Sequence, residues 1–164
     1  MGLVSRFEDL EAWQEARKLT AQAYAVIEGG QGGRDFALAD QIKRAAISTM
    51  NNIAEGFDSA SQIEFRRFLC YAARSASEVQ SCLYVALDRG YVDRGTFERV
   101  YAQAQSVRRL CAGLIRRLST YPRPTRDGSG HVRDDHAPYG ALRLPKSGSP
   151  AHRLTGPPIG RIPQ

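Results

Sequence analysis

Apolar residues recur at three- and four-residue steps in four separate stretches of the first 120 positions, a spacing that predicts four α-helices. The first stretch carries Leu10, Trp13, Arg17 through its aliphatic stem, Thr20, Tyr24 and Ile27. Ser5 and Glu8 precede it with the spacing of a capping box, and Gly29-Gly30 stops it. The second carries Leu38, Ile42, Ala45, Thr49 and Ile53, with Asp35 as N-cap and Gly56 closing it in a left-handed conformation. The third is the longest. Ser61 and Glu64 give a second capping box, and Phe65, Phe68, Leu69, Ala72, Ala76, Val79, Leu83 and Ala86 form a continuous stripe that ends before Gly90. A helix over residues 61–89 spans roughly 43 Å. The fourth runs from Asp93 through Phe97, Val100, Ala104, Val107, Cys111, Leu114 and Leu118. The connections are short, which favours antiparallel neighbours. The expected fold is therefore all-α, an antiparallel up-down-up-down four-helix bundle.

Composition then divides the chain of 164 residues. All 8 prolines lie at or after Pro122, and all 3 histidines (His131, His136, His152) lie beyond it as well. Proline is the residue helix interiors tolerate least, so its absence from the first 121 positions supports the helical reading. From Pro122 to Gln164 the chain mixes Pro, Gly, Ser, Arg and His without an apolar period. Such a segment buries too little surface to offset its conformational entropy. Two parts are expected: a bundle over 1–120 and a disordered Pro/Gly/Arg-rich C-terminal tail over 121–164. The formal net charge is +6 and the pI about 9.5. The tail holds seven Lys/Arg against three Asp, so most of the excess sits there. A pI this high hints at nucleic acid, and the nearly balanced helical part weakens the hint. Arginine outnumbers lysine 20 to 3, which GC-rich coding explains as readily as phosphate recognition.

No apolar run reaches the roughly 18–20 residues of a membrane span, so no membrane is expected among the partners. The segment from Met1 to Glu11 lacks the basic-then-apolar pattern of a signal peptide. Cys70, Cys82 and Cys111 form no CxxC pair, which fits a reducing cytoplasmic location and argues against a disulfide framework or cysteine zinc site. Cys82 and Cys111 stand on or beside apolar stripes as small core fillers.

Candidate chemistry falls in two sets. Gln41, Arg44, Ser48, Asn52 and Glu55 repeat at three- and four-residue steps on the second helix, with Asn51 beside them, and Arg74, Ser75 and Glu78 lie on the third. They suggest a polar network of Arg, Glu and Asn inside the bundle, fixing register. A ligand or phosphate site, or a Glu55/Glu78 carboxylate pair, are the alternatives. The helical part holds no histidine, so a nucleophile triad or a helical di-metal site is not expected, and neither is a cofactor. The second set is basic: Lys43-Arg44, Arg66-Arg67, Arg108-Arg109 and Arg116-Arg117. Arg66 and Arg67 open the third helix, and Arg116 and Arg117 close the fourth. In an antiparallel bundle those four share one end, where the basic tail also leaves, and this is the expected surface for RNA, DNA or a protein partner.

Several of these residues also carry a resemblance. Phe7-Glu8-Asp9-Leu10 with Trp13 and Ala16, Asp40-Gln41-Ile42-Lys43-Arg44-Ala45-Ala46, and Asn52-Ile53-Ala54-Glu55-Gly56-Phe57 together resemble the four-helix-bundle family of 23S ribosomal RNA intervening-sequence proteins. Phe65, Phe68-Leu69, Ala72, Ser75, Glu78 and Gly90-Tyr91 continue the pattern, so that it covers roughly residues 5–119. Arg74 stands where the family usually has glycine. The resemblance implies a small bundle that associates into homopentamers, related in fold to the accessory variability protein of diversity-generating retroelements, a basic partner of a reverse transcriptase. The function expected from these features is that of a non-enzymatic oligomeric accessory protein associated with nucleic acid, with a reverse transcriptase or ribonucleoprotein as possible partner. The alternative is a scaffold oligomer that binds only protein, using Trp13, Tyr24, Tyr71, Tyr84 and Tyr101.

Overall fold

The computed structural model describes residues 4–29, 31–59 and 61–119, and every regular element among them is helical. The four long helices are α1 (Glu11–Glu28), α2 (Phe36–Phe57), α3 (Gln62–Asp88) and α4 (Arg94–Ser119). Short 3-10 turns at Phe7–Asp9 and Gln31–Arg34 lead into α1 and α2. Each helix packs on the next, and α4 closes against α1. Contacts across the seams fix the directions. Ser48 of α2 meets Ser75 of α3, while Gly56, further along α2, meets Phe65 and Phe68, earlier on α3. Tyr84 of α3 meets Phe97 of α4, and Gln80 meets Arg108. Thr20 of α1 bonds the carbonyl of Ala46, and Tyr24 lies under Lys43. Adjacent helices are thus antiparallel throughout, and the fold is the expected up-down-up-down bundle. The expected disordered tail, residues 121–164, lies outside the described residues.

The helix ends follow their local chemistry. Asp35 accepts the Leu38 N–H at 3.1 Å and Ser61 accepts that of Glu64 at 3.2 Å, each satisfying a donor that the first turn leaves over. Asp93 caps α4, accepting the Thr96 N–H at 2.7 Å and its hydroxyl at 3.0 Å. Gly90, at φ 69°, ends α3 in the left-handed region. Tyr91 N–H then closes back on the Ala86 carbonyl at 2.8 Å, the wide bond of a Schellman turn.

Two expected ends form differently. Ser5 and Glu8 make no capping box: residues Phe7–Asp9 turn as a 3-10 helix, α1 starts only at Glu11, and its N-cap position, Leu10, has no side-chain cap. The buried Leu10 enters the core at this point, and Gln14 Nε2 donates to the Glu8 carbonyl at 2.9 Å instead. Gly56 does not close α2 in a left-handed turn. It lies inside the helix, which continues through Phe57, and Gly90 is the only described residue with positive φ. Its missing side chain matters for packing: a Cβ there would fall 2.7 Å from Phe68 Cβ and 2.8 Å from a ring carbon of Phe65.

The core lies along the bundle axis. Ile42, Ala45, Thr49 and Ile53 of α2, the α3 stripe from Phe65 to Ala86 with Phe68 half-buried, and Phe97, Val100, Ala104, Val107, Cys111 and Leu118 of α4 all face it, as their spacing predicts. On α1 the predicted stripe is rotated from the true one. The predicted end members Leu10 and Ile27 are buried, but between them Ala12, Ala16, Leu19, Ala23 and Val26 face the core, whereas Trp13, Thr20 and Tyr24 are half-buried at the α1–α2 seam and Arg17 is exposed over the Trp13 ring. Alanine lets two helix backbones approach closely, so the small residues sit innermost and the rings cover the edge.

Candidate functional site

The paired basic residues separate by face. Lys43 and Arg44 lie in the first half of α2 and are engaged there. Lys43 Nζ stands 4.7 Å above the Tyr24 ring and 3.9 Å from Glu28 Oε1, and Arg44 lies 3.6 Å from Asp40. They belong to a face where charge is locally balanced. Arg66 and Arg67 begin α3 and Arg116 and Arg117 end α4, and the antiparallel register puts all four at one pole of the bundle. Within that pole they point apart. Arg67 donates to the Tyr71 hydroxyl at 2.6 Å with its guanidinium 5.6 Å from the ring, and this bond raises its already high pKa. Tyr71 in turn meets Phe68, which borders α2. Arg117 lies two heptads beyond Gln103, the residue that bonds α1, and so follows the α1 edge of α4.

Arg66 and Arg116 border the remaining face, the outer surface shared by α3 and α4. Arg66 is two heptads before Gln80, and Gln80 is the point where the two helices are tied together. Gln80, only 5% exposed, donates to the Tyr101 carbonyl at 3.3 Å and accepts from Arg108 Nη1 at 2.9 Å. The Gln80 carbonyl oxygen is neutral, so Arg108 keeps an uncompensated charge. Arg109 and Arg116 are seven residues apart on α4 and therefore share its outer face. Arg66, Arg108, Arg109 and Arg116 have no carboxylate within ion-pair distance among the described residues, whereas Arg94 on the same face pairs with Glu98 at 2.9 Å. At the opposite pole this face carries rings. Tyr84, 50% exposed, meets Phe97 and Tyr101 edge-on at centroid distances of 5.0 Å and 5.8 Å. Burial and a bond with Tyr84 push the Tyr101 hydroxyl above its ordinary pKa.

The polar set on α2 and α3 forms a smaller network than its spacing suggests. Ser48 and Ser75 face each other with oxygens 3.0 Å apart, and Asn52 Nδ2 donates to the Ser48 carbonyl at 2.7 Å and its hydroxyl at 3.0 Å. Gln41, Arg44, Asn51, Glu55, Arg74 and Glu78 are exposed and do not enter the interior. Desolvating a charge is costly unless it is fully paired, and the half-buried seam accepts only hydroxyls and an amide. Arg74, in particular, faces out, where its length costs nothing.

An open cleft of about 390 Å³ lies between the end of α1 and the start of α4, bordered by Gln22, Tyr91, Asp93, Thr96 and Arg99. Gln22 Oε1 is buried there without a hydrogen-bond partner among the described residues. Spacing gave no sign of this cleft, because its walls come from two helices distant in sequence. The same is true of the bond from Gln103 Nε2 to Glu15 Oε2 at 2.7 Å. The Glu15 carboxyl is held below its ordinary pKa chiefly by Lys18 and then by Gln103. Cys111 is buried, Cys82 half-buried and Cys70 exposed. Among the described residues, no group of three or more His, Cys, Asp or Glu side chains is placed to hold a metal ion, and no helix is long and apolar enough to cross a membrane.

Comparison with known proteins adds to this geometry. The family model described as 23S rRNA-intervening sequence protein matches residues 8–113, the span from the 3-10 turn before α1 to the last third of α4. A crystal structure of a protein of unknown function from the S23 ribosomal protein family of Bacteroides thetaiotaomicron superposes with a TM-score of 0.58 at 20% identity, covering 63% of this chain and 97% of that one. At that identity the likeness is one of fold. No curated protein matches the chain.

Proposed function

The chain belongs to the 23S rRNA-intervening sequence protein family, and from that premise we propose that it is a non-enzymatic accessory protein that binds RNA through the outer face of α3 and α4. The observation that carries this reading is the set Arg66, Arg108, Arg109 and Arg116. These are four guanidinium groups on one face with no carboxylate partner among the described residues. A guanidinium left unpaired next to its own kind is destabilising by mutual repulsion, and phosphate relieves it through bidentate hydrogen bonds. Assembly of several copies, as in a homopentamer, would repeat this face and turn weak phosphate contacts into avidity. A reverse transcriptase or a ribonucleoprotein is the kind of machinery such an accessory would serve.

The test is an electrophoretic shift with structured RNA and with DNA of the same sequence at several salt concentrations. Binding is expected to weaken steeply with salt, and the slope to fall by about one for each phosphate-contacting arginine replaced by glutamine. Absence of binding at low salt overturns the reading. A second reading, a scaffold that binds only protein, draws on Phe36 and Ile63, which are 82% and 70% exposed. It predicts a mass in solution that falls when these two are replaced by polar residues, with no nuclease-sensitive partner.

A further inference from the structure

The α3–α4 face has two dissimilar ends, and together they specify more than a charge. Arg66 and Arg116 are level with each other at one pole, Arg108 and Arg109 follow on α4, and Tyr84 and Tyr101 occupy the other pole. From Arg66 to Tyr84 along α3 is roughly 27 Å at 1.5 Å per residue. A surface that only attracts phosphate has no use for a half-exposed tyrosine. Tyr84 is half exposed although Phe97 beside it is 6% exposed, so the aromatic cluster is capped by a ring that solvent still reaches. Gln105 lies four residues from both Tyr101 and Arg109 and is exposed, so rings and guanidinium groups are joined by a neutral step on one helix face.

Resting on the RNA reading above, we infer that the ligand of this face is an unpaired RNA strand, with its backbone on Arg66, Arg108, Arg109 and Arg116 and a base stacked on Tyr84, the Tyr101 ring, turned 79° from it, meeting the base edge. Duplex RNA hides its base faces inside the stack and offers side chains only phosphates, hydroxyls and groove edges. An unpaired strand offers both phosphates and π-faces, and proteins that bind such strands combine a basic track with stacking rings over a few nucleotides. The arrangement here has both parts in the order a strand would meet them. On α2 the combination is absent, since Lys43 and Arg44 face carboxylates, and Arg67 spends its ring contact internally on Tyr71; on α1 Arg17 over the half-buried Trp13 ring is a single pair and not a track.

The experiment measures the affinity of the full chain for a 12-nucleotide oligouridylate and for a blunt RNA duplex of equal length at one low salt concentration. The unpaired strand is expected to bind at least tenfold more tightly. Tyr84→Ala is expected to weaken oligouridylate about tenfold while leaving the duplex unchanged, and Tyr84→Phe to restore it, because the ring and not the hydroxyl stacks. Tyr84 packs on Phe97, so a surface variant guards against misfolding. Gln105→Glu places a carboxylate between Tyr101 and Arg109 without touching the core and is expected to weaken oligouridylate about tenfold, whereas Gln41→Glu on α2 leaves it unchanged. Equal affinity for strand and duplex, or Tyr84→Ala and Gln105→Glu binding oligouridylate like wild type, overturns the stacking track but leaves the arginine face standing. Failure of both RNAs to bind overturns the face itself, and the track with it.

Discussion

Gly56 of α2 and Phe68 of α3 are packed so closely that a Cβ on the glycine would lie 2.7 Å from the Phe68 Cβ, closer than real Cβ atoms approach. Phe65 crowds the same point at 2.8 Å and is fully buried, and on the other side the clash is with the Phe68 Cβ, which its backbone fixes. Gly56→Ala therefore forces the α2–α3 seam apart. Overpacking costs about 1–3 kcal/mol, which outweighs the roughly 0.5–1 kcal/mol that alanine contributes to a helix interior. A net loss of stability is expected in urea unfolding. Gly113 of α4 supplies the contrast, because nothing lies within 4 Å of its would-be Cβ. Gly113→Ala is expected to raise stability by about 0.5–1 kcal/mol. The two glycines are equally helical, so opposite signs would establish that the seam and not the backbone sets the first effect.

The three cysteines should differ in reactivity by their surroundings. Burial pushes the Cys111 thiol up to about 12 from its ordinary 9.0, and burial followed by the nearby Glu78 charge raises that of Cys82. Thiolate is the reactive form, so at pH 8 Cys70 is expected to be labelled first by a maleimide, Cys82 slowly, and Cys111 only on unfolding. The shift also bears on alkaline stability. A folded pKa above the unfolded one favours the folded state fully below pH 9, and that contribution is lost as pH rises from 9 towards 12. Cys111→Ala is expected to flatten this part of the stability profile, in urea midpoints taken from pH 8 to 11.

At the other end of the scale stands Asp93. Hydrogen bonds from the Thr96 N–H and hydroxyl hold its carboxyl below its ordinary pKa. The stabilising effect is present above about pH 4 and disappears as the carboxylate protonates. Asp93→Asn keeps an acceptor for the Thr96 N–H but loses the charge at the start of α4. The gap in urea midpoint between wild type and variant is expected at pH 7 and should narrow as pH falls below about 4; a gap independent of pH would mean that the charge plays no part.

The Ser48–Ser75 pair predicts which polar residues matter at the α2–α3 seam. Ser48→Ala removes the partner of Ser75 and one of the two Asn52 bonds, leaving that to the Ser48 carbonyl, and is expected to cost about 1 kcal/mol. Arg74→Ala and Glu78→Ala, both at the surface, are expected to leave the unfolding midpoint unchanged. A large loss from either charged residue would restore the interior ionic network that their spacing suggests.

That spacing explains how far the chain could be read without its structure. Period and proline absence located all four helices, and Asp35, Ser61 and Gly90 marked three of their ends, because these signals act within one turn of the chain. On α1 the period is shared by two stripes, and size favours Trp13 and Tyr24 over Ala12, Ala16 and Ala23, which are the ones that turn inward. Which of the two turns inward depends on how closely α2 and α4 approach, a property of the assembled bundle. The candidate surface was legible in part for the same reason. The shared pole of Arg66 and Arg116 follows from topology, but the divergence of Arg67 and Arg117 depends on Tyr71 and on the α1–α4 seam. Gln80, Gln103 and the Gln22 cleft are products of contact between distant segments, and nothing in their neighbours announces them.

The antiparallel order has a mechanical corollary. Because α1 starts and α4 finishes at the same pole, a tensile load across the two would not shear the helices along their length. It would peel the α1–α4 seam open from that pole, with Gln103 releasing Glu15 before the cleft beside Gln22 is reached. Bonds arranged this way fail one after another, so the bundle should yield in an unzipping geometry at low force.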